Sequence, residues 1–263
     1  MRNLCDLSST IARPPLHYDG CVPSTPAILP TIQQWWNEHS AQQGPVCTLQ
    51  RLLANLWEFL QDSTPSRRKQ RYGDVDYDWD NRVDTTSATV SWRSRLLGLF
   101  NSPYQPTEPA IFDEMLERLN LDFREFTFID IGSGKGRALL MAAEFSFRRI
   151  LGVELLPELH GIAQENLKHL SESGKGSLVE SLCVDAREFV FPAEPTVLYL
   201  FNPLPETGLR QFVENLQKSL RENPRPVFLL YHNPMLEHVL AQSPALKKLE
   251  GTNQFSIYRE TGC

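Results

Sequence analysis

FTFIDIGSGKGRALL, residues 126–140, begins with apolar and β-branched residues, passes through an acid, and then alternates three glycines with small or polar residues. The first half has the composition of a buried strand, and the second half has the apolar spacing of a helix. Glycine adopts backbone angles that other residues avoid and lets a ligand approach the main chain closely. Because the helix that follows presents free N–H groups at its first turn, the stretch predicts a strand–loop–helix unit that binds a ligand at its loop.

Strand and helix patterns alternate from residue 108 onward. Strands are predicted at 125–131, 148–155, 177–186, 196–202 and 225–233, with a closing pair in 245–260. Helices are predicted at 108–120, 135–146, 157–173, 205–223 and 234–243. Near-continuous apolar strands such as VLYLF fit a sheet covered on both faces. The sequence therefore predicts an α/β fold: a doubly wound, mostly parallel seven-stranded sheet with helices on both faces, preceded by an N-terminal helical extension.

The N-terminal third has a different composition from the rest. Its first 25 or so residues are rich in Pro, Ser and polar residues, and 25–40 and 47–62 have the spacing of amphipathic helices. Residues 63–74 concentrate positive charge, which is typical of a solvated linker, with a binding patch as the alternative. All five tryptophans precede residue 93; they either pack these helices onto the core or cap a binding pocket. We expect 1–70 to form a mostly helical extension after a flexible lead, and 71–263 to form the ligand-binding domain.

The composition restricts the function classes. The chain has 263 residues, is 41% hydrophobic and carries a formal net charge of -6, which argues mildly against a broad nucleic-acid-binding surface. It contains no apolar run suited to a membrane helix, and its first residues lack the apolar core of a signal peptide, so we expect no membrane and a cytoplasmic location. Five scattered cysteines, with no CxxC pair, indicate free thiols and no metal site.

The spacing of the glycines restricts the class of ligand that the loop is expected to bind. They follow G-x-G-x-G, one residue shorter than the dinucleotide-binding G-x-G-x-x-G, with an acid two residues before the first. Residues 129–136 resemble motif I of the class I S-adenosyl-L-methionine (SAM)-dependent methyltransferases, hhDhGxGxG. Residues 77–87, 104–119 and 126–143, the last with its GSGKGR form, resemble bacterial methyltransferase-like proteins and, more distantly, Dot1-type and other seven-β-strand lysine methyltransferases. This resemblance covers about residues 72–260. The resemblance implies SAM as cofactor and places these residues against it: Asp130, Gly132, Ser133, Gly134, Gly136 and Arg137.

Acids end the next two predicted strands. In the methyltransferase family, an acid at the position of Glu154 holds the two ribose hydroxyls, and one carboxylate can accept both donors. Asp185, followed by Ala186, resembles the family acid that receives the adenine amino group. The alternatives are an exposed acid at a strand end for Glu154 and a helix N-cap for Asp185.

The fourth and fifth predicted strands supply candidate catalytic residues. Asn202-Pro203 resembles the (D/N/S)-P-P-(Y/F) motif of nitrogen-directed methyltransferases, and Asn202 would also lie near the cofactor. In that motif, a side-chain and a backbone carbonyl orient the target nitrogen; here Leu204 replaces the second proline, and an Asn-Pro turn is the alternative. Tyr231 or His232 would relay a proton, unless the histidine is a packed structural group.

The segment before the first strand closes over the cofactor in the resembled proteins. Candidates for this contact are Asp84, Thr85, Tyr104 and Thr107, and Thr85 and Tyr104 are predicted to bind the cofactor. Turn and capping roles are the alternative for all four.

The predicted function is transfer of a methyl group from SAM to a nitrogen of a protein side chain or small molecule. Nucleic acid is the less favoured acceptor. The alternative is a catalytically silent SAM-binding protein that acts as an interaction module. G-x-x-x-x-G-K-[ST], typical of phosphate-binding loops, and G-x-S-x-G, typical of hydrolases, are absent from the sequence.

Overall fold

The computed structural model describes residues 28–62, 75–86, 105–172 and 179–262. The predicted flexible lead, the basic segment 63–74 with the proposed domain boundary, and Tyr104 lie outside these residues.

A seven-stranded sheet forms the centre of the fold. Its strands are β1 (Thr127–Ile131), β2 (Arg149–Glu154), β3 (Val179–Cys183), β4 (Thr196–Phe201), β5 (Val227–His232), β6 (Leu246–Gly251) and β7 (Phe255–Glu260). Their order across the sheet is β3-β2-β1-β4-β5-β7-β6. β1 to β5 pair in parallel, and β7 lies antiparallel to both β5 and β6. The predicted doubly wound, mostly parallel seven-stranded sheet is confirmed.

Helices cover both faces of this sheet. In chain order they are α1 (Ile28–Gln43), α2 (Pro45–Asp62), α3 (Val75–Asn81), α4 (Pro109–Leu119), α5 (Arg137–Ala142), α6 (Pro157–Glu172), α7 (Glu206–Glu222) and α8 (Glu237–Ala241). Alternate strand residues point to opposite faces, so Ile129 packs with α7 and α8, whereas Phe128 packs with α4 and α5. Proline at the first position of α4 and α6 fits because its missing N–H has no helical partner there.

α5 is shorter than the predicted helix over 135–146 because it ends at Ala142. The reason is aromatic packing just beyond it. Phe145 makes an edge contact with Phe112 of α4, and Phe147 lies against Phe128 of β1. Turning the chain after Ala142 brings both rings onto the core, and burial of this aromatic surface outweighs further helical hydrogen bonds.

The N-terminal helices form a hairpin near the start of α7. The Thr207 hydroxyl donates to Glu38 Oε2 of α1 across 3.3 Å. Trp35 is buried and stacks on His39, as expected for packing of the extension. Trp57 and Trp79 are 64% and 83% exposed, so packing explains only part of the tryptophan content.

Candidate functional site

The glycine loop joins β1 to α5 at the carboxyl edge of the sheet. Its three glycines have positive φ values: 77° for Gly132, 53° for Gly134 and 85° for Gly136. The N–H groups of Gly132 and Ser133 both donate to the carbonyl of Val153, at 2.8 and 3.0 Å. These bonds fix the loop against the end of β2. The loop lies where the chain order reverses between β1 and β4, which is the usual ligand site of doubly wound sheets.

Two close backbone approaches fix the shape of the loop. A Cβ added to Gly132 would lie 2.5 Å from the Cβ of Pro203, so the Asn202-Pro203 turn touches the loop directly. A Cβ added to Gly152 in β2 would lie 2.7 Å from Ser133 Oγ. The Ser133 side chain therefore packs against β2, and the loop is held between β2 and the end of β4.

Glu154 joins the loop to the end of β2. Its Oε2 accepts a hydrogen bond from the N–H of Gly134 at 2.8 Å, and its Oε1 accepts one from the N–H of Leu156 at 2.7 Å. Burial raises the pKa of Glu154, and hydrogen bonds from backbone N–H groups act in the opposite direction. A carboxylate offers about four lone-pair sites, so acceptor capacity remains beyond these two bonds for the hydroxyls of a ribose.

Asp130 is a buried acid one strand away from Glu154. Asp130 is 4% exposed. Burial and the neighbouring Glu154 raise the pKa of Asp130 well above its ordinary value. Ser133 Oγ is likewise buried without a hydrogen-bond partner among the described residues. Unsatisfied polar groups are costly in an interior, and Ser133 places one of them in the glycine loop.

Asp185 follows β3 and caps a short 3-10 helix, Ala186–Glu188. Its carboxylate accepts hydrogen bonds from the N–H and the Nε of Arg187, both at 2.9 Å. Burial acts to raise the pKa of Asp185, but the hydrogen bonds and charge of Arg187 outweigh it and lower the pKa. The capping alternative is therefore present in the structure, and an adenine-binding role would use the remaining acceptor capacity.

The Asn202 amide is engaged within the protein. Asn202 has a left-handed backbone, with a φ of 44°. Its Nδ2 donates to the carbonyl of Asn233 at 2.6 Å, and its Oδ1 accepts from the Tyr231 hydroxyl at 2.9 Å. The same hydroxyl accepts from the N–H of Leu236. Burial raises the pKa of Tyr231 to about 12, so its phenol stays neutral and holds the Asn202 amide in one orientation.

His232 lies at the end of β5 as a buried, neutral group. Its Nδ1 is 2.8 Å from the Tyr199 hydroxyl, which in turn is 3.1 Å from Thr107 Oγ1. The imidazole stacks on Phe201 with ring centroids 4.1 Å apart. Burial lowers the pKa of His232 to about 4. The geometry matches the packed structural alternative and leaves Nε2 without a hydrogen-bond partner among the described residues.

The lowered pKa of His232 predicts a pH-dependent stability. An unfolded histidine binds a proton below about pH 6.5, whereas the folded one does so only near pH 4, so its stabilising contribution is complete above pH 6.5 and is lost as the pH falls toward 4. Urea unfolding at pH 7.5 and pH 4.5 should show that the wild type loses on the order of 2–3 kcal/mol more than His232→Gln. The comparison cancels the contributions of Asp130 and Glu154; equal losses in both proteins would contradict the burial of a neutral imidazole.

Arg137 and Lys135 point away from the loop and hold the chain that precedes the sheet. Arg137 is 2% exposed, and its Nε donates to Thr85 Oγ1 at 2.6 Å. Lys135 is fully buried, and its Nζ donates to Asp84 Oδ1 at 2.8 Å. Of the candidate contacts predicted before the first strand, the structure brings Asp84, Thr85 and Thr107 to this side of α5. The Arg137 side chain bonds to Thr85 and to the carbonyl of Thr107.

For several residues of this region, the sequence analysis did not predict a role in the site. The clearest are Asp78, Lys135, Asn166 and Tyr199. Two of them carried a signal in the sequence: Tyr199 interrupts the apolar run VLYLF, and Asn166 falls on the same helical face as Ala163 and Leu167, which are buried. Such polar residues on buried faces need partners. The partners of Asn166 include Asp84 and Lys135, and those of Tyr199 include Thr107 and His232. All of them lie more than 30 positions away in the chain, so periodicity could not identify them.

Within the described ranges, no helix is long and apolar enough to cross a membrane. The described residues also contain no group of three or more His, Cys, Asp or Glu side chains that could hold a metal ion. Cys47 and Cys183 are free thiols.

Comparison with known proteins finds similar solved structures. An RNA methyltransferase from Salinibacter ruber, in complex with S-adenosyl-L-homocysteine, is 25% identical over 59% of this chain and 92% of that chain, with a TM-score of 0.41. A SAM-dependent O-methyltransferase from Thermotoga maritima is 16% identical over 61% of this chain and 68% of that chain, with a TM-score of 0.46. A SAM-dependent methyltransferase from Aquifex aeolicus is 13% identical over 58% and 98%, with a TM-score of 0.44. No family model matches the chain, and no curated protein matches it.

Proposed function

We propose that this chain is a class I SAM-dependent methyltransferase. The observation that carries the proposal is the joint geometry of the glycine loop and Glu154. Three glycines with positive φ turn the chain at the carboxyl edge of the sheet, and a buried carboxylate from the neighbouring strand bonds directly to the middle one. This arrangement provides close main-chain access and a double acceptor for a vicinal diol at one point.

The residues present fit a bound adenosyl compound. Glu154 would accept the ribose hydroxyls, and Asp185 with Ala186 would border the adenine. Ser133 contributes a buried oxygen without a hydrogen-bond partner among the described residues, and Asp130 contributes a buried acid just before the loop. SAM supplies a methyl group on a sulfonium, so the protein needs only to place a nucleophile in line with it.

We further propose that the acceptor atom is a nitrogen of a protein side chain or small molecule. Residues 201–205 are half-buried and mostly apolar, and an amine placed there loses hydration, which lowers its pKa and favours the neutral, nucleophilic form. The cations of the loop region, Lys135 and Arg137, are buried and bonded to carboxylates, so they do not offer charge to a phosphate backbone. Asn202-Pro203, which touches Gly132, would orient the nitrogen, and His232 in its neutral form would accept or pass a proton through Nε2.

A second function has support from the Asn202 amide. Both of its polar atoms are bonded to the Tyr231–Asn233 turn, which is the arrangement expected if the amide is structural. A SAM-binding protein without catalysis, acting through its N-terminal helices, would retain the loop and Glu154 and use Asn202 only to hold the strand ends. The cytoplasmic location stays a prediction from the sequence.

The function is tested by binding and by transfer. We expect S-adenosyl-L-homocysteine to bind the full chain at one site in calorimetry; absence of binding would refute the cofactor assignment. With methyl-labelled SAM and a cell lysate, the wild type should label a discrete acceptor, and Asn202→Ala should lower incorporation at least about tenfold, since a lost orienting hydrogen bond costs about 1.5 kcal/mol or more. Asn223→Ala, at the exposed end of α7, is the matched control. Binding without labelling would favour the silent module.

A further inference from the structure

We propose that Asp78 is a positioning residue that clamps residues 77–86 onto the first turn of α5, so that this contact and cofactor binding stabilise each other. The inference rests on the proposed function. Asp78 belongs to α3, whereas Arg137 directly follows the last glycine of the loop. The clamp therefore connects a segment remote in sequence to the part of the chain proposed to hold the cofactor.

Asp78 uses both carboxylate oxygens to organise this segment. Oδ2 accepts from the N–H of Thr85 at 2.7 Å and from the N–H of Thr86 at 2.9 Å. Oδ1 accepts from the Thr85 hydroxyl and from Arg137 Nη2, the latter at 3.2 Å. One carboxylate thus closes the turn at Thr85–Thr86 and links it to a buried guanidinium.

Arg137 is the centre of the clamp. Its Nε donates to Thr85 Oγ1, its Nη1 lies 3.4 Å from the Thr107 carbonyl, and its guanidinium carbon lies 4.7 Å from the centre of the Tyr77 ring. A buried guanidinium needs such partners because desolvation is costly. Since Arg137 begins α5, any movement of residues 77–86 changes the environment of the helix whose first turn follows the loop.

A second set of contacts reaches the loop itself. Lys135, between the second and third glycines, donates through Nζ to Asp84 Oδ1 and to the Thr86 carbonyl at 2.9 Å. Asn166 Nδ2 donates to the carbonyls of Asp84 and Lys135, both at 2.9 Å, and its Oδ1 accepts from the N–H of Asp84. Residues 84–86 are thus bonded to the loop from two sides, and Asp78 fixes the turn that presents them.

The clamp also extends to the proposed acceptor side. The Thr107 carbonyl lies against Arg137, and the Thr107 hydroxyl lies beside Tyr199, whose hydroxyl contacts His232 Nδ1. Hydrogen-bonded groups thus run from Asp78 to the end of β5. Loss of the Asp78 carboxylate removes a charged partner of Arg137 and loosens residues 77–86, so the glycine loop is ordered in a smaller fraction of molecules. Coupling between two sites is reciprocal, so bound cofactor must in turn hold the segment more firmly.

The test measures amide hydrogen exchange of the full chain and its affinity for S-adenosyl-L-homocysteine. In the wild type, S-adenosyl-L-homocysteine should slow amide exchange at residues 77–86 at least about fivefold, the lower end of typical coupling. In Asp78→Asn, exchange there should be fast with and without the ligand, and the Kd should rise at least about fivefold. Asp80→Asn, an exposed acid on the same helix, should behave as the wild type.

The outcomes separate this inference from the proposed function. No binding to the wild type would overturn the proposed function and the coupling with it. Unchanged affinity in Asp78→Asn, with exchange at 77–86 already fast, would overturn the coupling and leave the cofactor assignment intact. If circular dichroism shows that Asp78→Asn is unfolded, Thr85→Val serves instead, because it removes the hydroxyl between Asp78 and Arg137 while keeping the side-chain size. Unchanged affinity in that variant would also overturn the coupling.

Discussion

Glu154→Gln is expected to weaken binding of S-adenosyl-L-homocysteine at least about 100-fold. The carboxylate accepts from the N–H groups of Gly134 and Leu156, one on each oxygen. A glutamine amide would direct its NH2 group toward one of these donors, and it could no longer accept two ribose hydroxyls. Hydrogen bonds to a charged group contribute about 1.5–3 kcal/mol each, and two of them correspond to two or more orders of magnitude in Kd.

Calorimetry measures the loss of ligand affinity in Glu154→Gln, and thermal unfolding without ligand measures how much the substitution destabilises the fold. Glu180→Gln provides the control, because Glu180 is an exposed acid on β3 whose ion pair, among the described residues, is the surface pair with Arg149, and surface pairs contribute little. The control should bind as the wild type does. If the Kd of Glu154→Gln lay within threefold of that of the wild type, the role of Glu154 would be to hydrogen-bond the loop, and the ribose assignment would be wrong.

Gly132→Ala is expected to destabilise the fold by about 2–5 kcal/mol and to abolish cofactor binding. The left-handed φ of 77° costs a residue with a side chain about 1–2 kcal/mol. The added methyl group would also lie 2.5 Å from the Cβ of Pro203, and overpacking of this kind costs about 1–3 kcal/mol. Either the loop or the Asn202-Pro203 turn must move, and both border the proposed site. Urea unfolding and calorimetry measure the two losses.

Gly161→Ala is the matched control for this change. Gly161 lies in α6, has no heavy atom within 4 Å of an added Cβ, and does not have a positive φ. Alanine should be neutral there or stabilise the helix by up to about 1 kcal/mol, because it has the higher helix propensity. A Gly132→Ala protein as stable as Gly161→Ala would show that the loop has room for a side chain, and the proposed close contact with the cofactor would be wrong.

The sheet was predictable because its signals are local. β1, β2, β4 and β5 are mostly apolar runs, so their positions and the parallel arrangement followed from the pattern. β3, VESLC, is the least apolar of the five parallel strands. The ends of the helices were harder to predict from the sequence. α5 ends at Ala142 because the rings of Phe145 and Phe147 turn back onto the core, and α8 begins only at Glu237, after the left-handed Asn233 and Pro234. Both ends depend on contacts with distant elements.

The site was predictable only along the strand ends. Glu154 and His232 end strands, and Asn202 and Asp185 follow strands within two residues. Parallel strands bring their carboxyl ends to one edge of the sheet. What each side chain bonds there could not be deduced from its position. Asn202 is bonded by Tyr231, Asp185 by Arg187, and Arg137 reaches Asp78 and Thr85 instead of the loop. Which group each side chain bonds depends on which groups lie within its reach in the folded chain.

The sequence by itself determined where the chain forms strands and helices, that the strands form a parallel core, and that a flexible glycine turn follows the first strand with acids at neighbouring strand ends. Hydrophobic period and glycine spacing act over a few residues, so they are visible in one dimension. Only the tertiary structure decided that Lys135 and Arg137 are buried beneath residues 77–86, where Asp84 pairs with Lys135 and Asp78 pairs with Arg137. A buried charge needs a partner, and which distant carboxylate supplies it depends on how the whole chain packs.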